Sequence, residues 1–477
     1  MSKEEEIHRR LRYSIRMQLG VIGLGTMGAN LARNAARKGA SVVVFNRTTE
    51  KMDAFIKEHG KEGDFTGCKT IKEFCAALKG PRAILIMVKA GPGVDEVIAE
   101  LIPFLSKGDI LIDGGNSHYT DSARREKELE AKGFRFIGMG VSGGEEGALH
   151  GPSMMPGGSK EAYGVIAPLL MKMAADDGAG GKCVAYIGAG GSGHFVKMVH
   201  NGMEYGIMQL IAECFDLLKR EGKLDNDAIA DIFEKWNQTD LLKSFLIEIT
   251  AKVLRKKEGS TSLVDLIKDA AAQKGTGKWT TEAGFNYGVA VPTITAAVDA
   301  RIVSSGKDFR VKESARWKLA TVEADRPKDL VADVRTALEL SEMNTYGQGF
   351  VLLSEASKAE KWDLNVSEIS RIWRGGCIVR SGLLPIFQKV FAGDAAAAKQ
   401  MVGYFSADAQ RAWRALVALG ALHAIPLPAM SASLSYFDAY RTERLPQNLI
   451  QAQRDFFGAH TYERLDKEGT FHTQWES

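Results

Sequence analysis

Residues 17–39, MQLGVIGLGTMGANLARNAARKG, decide the fold. Met17 to Gly23 has the length and apolar content of a buried strand, and Ala29 onward places apolar residues at helical spacing. Between them stands Gly23-Leu24-Gly25-Thr26-Met27-Gly28, a GxGxxG in the strand–turn–helix context that binds a dinucleotide. The first glycine permits the tight turn, the second lets a diphosphate approach the backbone, and the third lets the helix pack on the strand. The helix N-terminus then turns its partial positive charge toward the diphosphate, which makes Gly23, Gly25, Thr26, Met27 and Gly28 candidate cofactor contacts. A glycine turn in some other α/β unit is the competing reading.

The next strand, Ser41 to Phe45, ends in Asn46-Arg47-Thr48. An NAD site usually carries Asp or Glu here to accept from the ribose 2′-hydroxyl. Asn46 stands 23 positions after Gly23, and no carboxylate is present. The neighbouring guanidinium suits a 2′-phosphate, so NADP is expected over NAD. Further strands end in Val88-Lys89-Ala90-Gly91, in Gly114-Gly115-Asn116-Ser117 and, after Phe134 to Gly138, in Val141-Ser142-Gly143-Gly144. Ligands of parallel sheets lie at the carboxyl ends of strands, so these residues would share one crevice; each alone reads equally as a turn former.

Beyond Gly193 the strand signals fade and amphipathic helices dominate. On the helix opened by GGSGHFVKMVHNGMEYGIMQL, from Gly190 to Leu210, His194, Lys197, Asn201, Glu204 and Tyr205 fall within an arc of about 100°. Phe195, Val199, Gly202, Met203, Gly206 and Leu210 take the other side. The polar arc is either a solvated face or a site offering an amine, a carboxylate, an amide, a phenol and an imidazole together. Tyr205-Gly206 resembles Tyr346-Gly347, 141 positions later, and Ile229, Ile232 and Phe233 match Ile369, Ile372 and Trp373, which reads as a duplicated helical bundle or as chance. Lys274-Gly275-Thr276-Gly277-Lys278-Trp279 could hold a phosphate or simply connect helices; Trp279 stands where a nucleotide P-loop needs Ser or Thr. Arg301 reads as a surface charge, and the region Gln453 to His460 as a docking segment.

Composition narrows the functional classes. The 477 residues exceed one core, so two or three domains are expected. A formal net charge of +3 gives no nucleic-acid footprint. The charge-free run Ala415 to Phe437 is interrupted by Pro426 and Pro428 and by three serines, which argues against a membrane span. Five scattered cysteines show neither a zinc spacing nor a disulfide framework, and the glutamate-rich start argues against a targeting peptide, so a cytoplasmic setting is expected.

The motifs GLGTMGAN, FNRT, VKAG, DGGNS, VSGGEEGA, GHFVKMVHNGMEYG, QKGTGKWT, WRGGCI and QAQRDFFGAHTYE, in this order from about Met17 to the end, resemble the 6-phosphogluconate dehydrogenase family. Its members are decarboxylating NADP enzymes of the pentose phosphate pathway. The resemblance implies a Rossmann-type domain over residues 17–190, following an extension at 1–16. A large all-α domain, a duplicated bundle, would span 191–450, and a C-terminal tail would take 451–477. It implies a homodimer in which that tail reaches the partner's site. Lys197 would be the general base and Glu204 the general acid. Substrate would meet Asn116, Ser142, Gly143, Gly144, His194, Asn201 and Tyr205, with Lys274, Arg301 and the tail's Arg454 and His460 on its phosphate. The cofactor would meet the fingerprint residues, Asn46, Arg47, Thr48, Val88, Lys89, Ala90 and Asn116.

The sequence shows no ligand cluster for a metal, and the expected chemistry calls for none, because a protonated Lys197 can itself polarise a β-keto oxygen. Two other readings stay open. A simple β-hydroxyacid dehydrogenase would use the same lysine without losing carbon dioxide. A silent NADP-binding protein would use its helices for interactions alone.

Overall fold

The computed structural model describes residues 17–317, 319–320, 322–323 and 327–476; the extension at 1–16 and Ser477 lie outside the described residues. Strands β1 (Gln18–Ile22), β2 (Ser41–Phe45), β3 (Asp64–Cys68), β4 (Ala83–Ile86), β5 (Ile110–Asp113), β6 (Arg135–Ser142) and β7 (Ser153–Gly158) form one seven-stranded sheet. Its order is β3-β2-β1-β4-β5-β6-β7, parallel except for β7, which runs antiparallel to β6. Helices α1 (Thr26–Arg37), α2 (Thr49–His59), α3 (Ile71–Ala77), α4 (Pro92–Leu101), α5 (Tyr119–Glu130) and α6 (Gly144–His150) connect the strands, and α7 (Lys160–Met173) follows the last of them.

Period-2 alternation explains why the strands read as unbroken apolar runs. Val42 and Val44 join the core that holds Leu31 and Ala35 of α1 and Leu169 of α7. Val43 and Phe45 join the opposite core, with Phe74 of α3 and Val97 of α4. Both faces are covered, as a parallel sheet requires.

β6 continues past Gly138 to Ser142 because β7 pairs along it, from Ile137↔Gly158 to Ser142↔Ser153. The sequence of β7, SMMPGG, carries turn residues rather than strand residues, and the sequence reading contained no such strand. Its pairing survives because the sheet edge is capped: Met154 N donates to Cys183 O and Ile187 N donates to Pro156 O.

The remaining body is helical, with α8 (Ser192–Arg220), α9 (Asn226–Trp236), α10 (Phe245–Arg255), α11 (Leu263–Leu266), α12 (Thr276–Asn286), α13 (Pro292–Ser305) and α14 (Lys307–Arg316) in its first half. Then come α15 (Leu330–Glu360), α16 (Val366–Ile372), α17 (Leu384–Phe391), α18 (Ala395–Tyr404), α19 (Ala407–Leu422), α20 (Pro428–Arg441) and α21 (Gln447–Gly458). The two longest, α8 of 29 residues and α15 of 31, lie against each other. A Cβ on Gly349 would stand 2.3 Å from Met203 Sδ, so the glycine leaves the room that the Met203 side chain takes between the two helices. Each long helix precedes a short one, and Ile229 and Phe233 in the first case and Ile369 and Trp373 at the second are buried in the same core. The run from Ala415 to Phe437 is divided between α19 and α20, and no helix among the described residues is long and apolar enough to cross a membrane.

Candidate active site

α8 lies directly on the carboxyl-terminal edge of the sheet. A Cβ at Gly140 of β6 would come within 2.4 Å of Lys197 Cβ, so the missing side chain is what admits the helix here. The polar arc of α8 is therefore not a solvated face. His194, Lys197, Asn201 and Tyr205 are all buried, and Lys197 is only 6% exposed. A buried amine needs partners. Lys197 Nζ donates to Asn201 Oδ1 at 2.7 Å and lies 3.3 Å from His200 Nδ1. His200 Nε2 is 3.1 Å from Ser142 Oγ at the end of β6, which ties the amine to the sheet.

Burial penalises charge at each of these groups. It pulls the Lys197 ammonium down to about 8, against the opposing pull of Glu204 and of the Cys377 sulfur. It raises Glu204 above the usual carboxylate range, although Lys197 and Arg301 act the other way. His200 is held neutral, first by burial and then by Lys197. The chain thus carries, two turns apart on one helix, an amine pulled down toward neutrality and a carboxyl raised above its ordinary value.

A pocket opens beside Lys197. Asn116 and Ser117 line it from the loop after β5, His194, Met198 and Asn201 from α8, and Thr276 and Trp279 from α12. His194 touches this pocket while its Nδ1 is 2.6 Å from Ser122 Oγ of α5. Gly143 and Gly144 turn the chain at the end of β6 with φ of +134° and +63°. α12 seats against Tyr205 because Gly277 has no Cβ, which would stand 2.4 Å from the ring. Arg301 of α13 covers the same ring, 3.5 Å from its centroid, and donates to Ala272 O at 3.1 Å, so it is not the lone surface charge that its sequence context offered. Lys274 is exposed just ahead of α12. Arg454 and His460 are exposed on the tail; Arg454 donates to Gln451 of its own helix and His460 packs on Phe457.

Along the same edge, the fingerprint fits a diphosphate. A Cβ on Gly28 would stand 2.0 Å from Gly23 O, whereas one on Gly25 would meet nothing within 4 Å, which leaves open space beside the turn. No side chain caps the N-terminus of α1, so its first N–H groups are left for a ligand. Leu24 N donates to Asn46 Oδ1 at 2.9 Å, so Asn46 braces the glycine turn. Arg47 is 66% exposed on its side chain and pairs with Glu96 and Glu100 of α4 at 3.5 and 3.2 Å. Thr48 is the N-cap residue of α2.

Sequence reading missed His200 and Arg125. His200 follows Lys197 by three residues, a spacing that makes helix neighbours, but it falls outside the chosen arc. Arg125 is 1% exposed and ties the start of α4 to the end of β5: it donates to Gly91 O at 3.0 Å, to Asp95 at 2.9 Å and to Asp113 Oδ2 at 3.2 Å. Its position in a charged run, ARREKE, carries no sign of this.

The sequence pattern of the NAD binding domain of 6-phosphogluconate dehydrogenase matches residues 18–188, and that of its C-terminal domain matches residues 193–475. The chain belongs to the 6-phosphogluconate dehydrogenase family. Among the members of this family, the decarboxylating enzyme of Synechococcus elongatus is 51% identical over 470 residues, covering 96% of this chain and 99% of that protein. That of Escherichia coli is 49% identical over 467 residues, covering 96% and 99%. The 6-phosphogluconate dehydrogenase of Plasmodium falciparum superposes with a TM-score of 0.90 at 42% identity, covering 96% of this chain and all of that one. That enzyme has been described in its apo form, with its cofactor NADP+ and with its substrate 6-phosphogluconate.

Proposed function

We propose that this chain oxidises and decarboxylates 6-phospho-D-gluconate to D-ribulose 5-phosphate with NADP+. The observation that carries the reading is the buried Lys197 amine, pulled down to about 8, lining a pocket at the carboxyl edge of a dinucleotide-binding sheet. Family membership fixes the class of reaction; the residue roles follow the family resemblance, and the burial and charge around Lys197 and Glu204 support those two.

The fingerprint turn, Arg47, Thr48 and the 88–90 loop would hold NADP+, which when bound supplies the hydride acceptor. Lys197, as the neutral amine, takes the proton of the substrate's third-carbon hydroxyl. The ammonium so formed donates to the new carbonyl oxygen, which takes up the electron pair as carbon dioxide leaves. Glu204, in its protonated form, then delivers its proton to the first carbon of the enediol. Asn116, Ser142, His194, Asn201 and Tyr205 orient hydroxyls, and the Gly143-Gly144 turn brings backbone N–H groups to the substrate. Lys274 and Arg301 hold the phosphate.

The phosphate site is completed by a second copy, through the partner subunit's Arg454 and the partner subunit's His460. Supporting this, the tail helix α21 exposes Leu449, Ile450, Phe456 and Phe457, an apolar strip in need of cover. The five cysteines are free and buried, in keeping with a reducing, cytoplasmic setting.

The deciding experiment follows NADP+ reduction and carbon dioxide release together, with 6-phosphogluconate as substrate and gluconate as control. One carbon dioxide per NADPH is expected, with strong preference for the phosphorylated acid. NADPH formed without carbon dioxide would instead mark a simple β-hydroxyacid dehydrogenase. The pH profile is a second expectation. The base acts only as the free amine, so kcat/KM should fall as pH drops below about 8 and Lys197 takes up its proton. It should also fall at high pH, as Glu204 loses the proton that it must donate. The limbs belong to the coupled pair rather than to either residue alone. A profile flat from about pH 6 to about pH 9 would remove Lys197 as the base.

A further inference from the structure

The C-terminal tail folds back on its own helix α21, and one buried carboxylate holds it there. Asp455 is 0% exposed although its neighbours Arg454, Phe456 and Phe457 are all exposed. Its Oδ1 accepts from Thr461 N at 2.9 Å and from His472 Nδ1 at 3.0 Å. Its Oδ2 accepts from Thr473 N at 3.0 Å and from Trp475 Nε1 at 2.8 Å. All four donors come from the chain beyond α21, so this one group folds the last stretch back onto the helix. A carboxylate with four donors is well satisfied: burial pushes Asp455 up, but the bonds from His472, Thr473, Trp475 and Thr461 together outweigh it and hold the group down at about 2.

The turn it fixes is strained in a telling place. His460 stands between Ala459, with φ of +49°, and Thr461, with φ of +62°. A β-branched residue in the left-handed region is an outlier that persists only where its surroundings enforce it, and such outliers gather at functional positions. The bond from Thr461 N to Asp455 is what enforces this one. Gln451 completes the frame: its Nε2 donates to Thr461 O at 2.6 Å while its Oε1 accepts from Arg454 Nη1 at 3.0 Å. Arg454 and the turn carrying His460 are thus linked through one amide.

We propose that Asp455, with Gln451, is a positioning residue that sets Arg454 and His460 in a fixed spacing as a preformed clamp for a phosphate dianion. This rests on the reading of the tail as part of the partner's site, and adds that the arm arrives already shaped instead of folding upon substrate. A preformed clamp spends less of its binding energy on ordering.

The test uses the full-length enzyme carrying Asp455→Asn, and in parallel Gln451→Ala, assayed with 6-phosphogluconate and with gluconate. KM for 6-phosphogluconate is expected to rise about tenfold or more in each, with KM for NADP+ and kcat/KM for gluconate changed by less than about twofold. The preference for the phosphorylated substrate therefore collapses while the chemistry on the unphosphorylated acid stays. Equal losses on both substrates would mean that Asp455 only supports the fold, and would overturn the proposal. An unchanged KM for 6-phosphogluconate would overturn it as well. Arg454→Ala separates this idea from its foundation. A selective loss there without one in Asp455→Asn sinks the preformed clamp and spares the tail's role. No loss in Arg454→Ala removes the tail from the phosphate site and takes the clamp with it.

Discussion

Lys197→Met is expected to lower turnover with 6-phosphogluconate by at least about 10³-fold, the scale of a lost general base that also serves as the acid for the same oxygen. Methionine has nearly the volume of the lysine stem, and its site is already buried, so the fold should hold. The cost falls on polar neighbours: Asn201 Oδ1 loses its 2.7 Å donor and His200 its neighbour at 3.3 Å, worth about 1–3 kcal/mol of stability if they find no water. Glu204 loses a cation that was holding its proton affinity down, so its carboxyl should be raised further. NADP+ affinity should be nearly unchanged, because the fingerprint turn and Arg47 follow β1 and β2 and are not on α8. Stopped-flow turnover beside an equilibrium titration of NADP+ checks both halves. Activity within tenfold of the parent would transfer the base to another group.

Arg47→Ala is expected to weaken NADP+ by about 10- to 100-fold and NAD+ hardly at all, corresponding to roughly 1.5–3 kcal/mol for a charge-assisted contact to the 2′-phosphate. Without ligand Arg47 is paired to Glu96 and Glu100, but exposed pairs of this kind are worth at most about 1 kcal/mol, so freeing the guanidinium costs little. The same two carboxylates leave a negative patch once the arginine is gone, which should deepen the loss for the dianion. The comparison of kcat/KM for the two cofactors is the measurement. Equal losses would place the guanidinium away from the ribose.

The fold was legible in the sequence wherever a local rule acted alone. GxGxxG after an apolar run required a strand, a turn and a helix, and all three are there, although α1 begins at Thr26, inside the fingerprint and three residues before the Ala29 start that spacing gave. The absence of a carboxylate after β2 was a fact of composition. β7 was not legible, since Met154, Met155, Pro156 and two glycines form a strand only because β6 and the 183–188 segment pair with both edges. The site was legible in its residue types and not in its state. Helical spacing brought Lys197, Asn201 and Glu204 together, but equally allowed a solvated face.

What the sequence determined by itself was the dinucleotide turn with its flanking strand and helix, and the identity of the polar groups on α8, because those depend on contacts a few residues apart. Tertiary structure alone decided that the polar face would be dry. It required Gly140 of one strand to meet Lys197 of a distant helix, and Ser142 to reach His200. Desolvation is a property of what surrounds a group in space, and an amine exposed on that helix would have remained an ordinary cation.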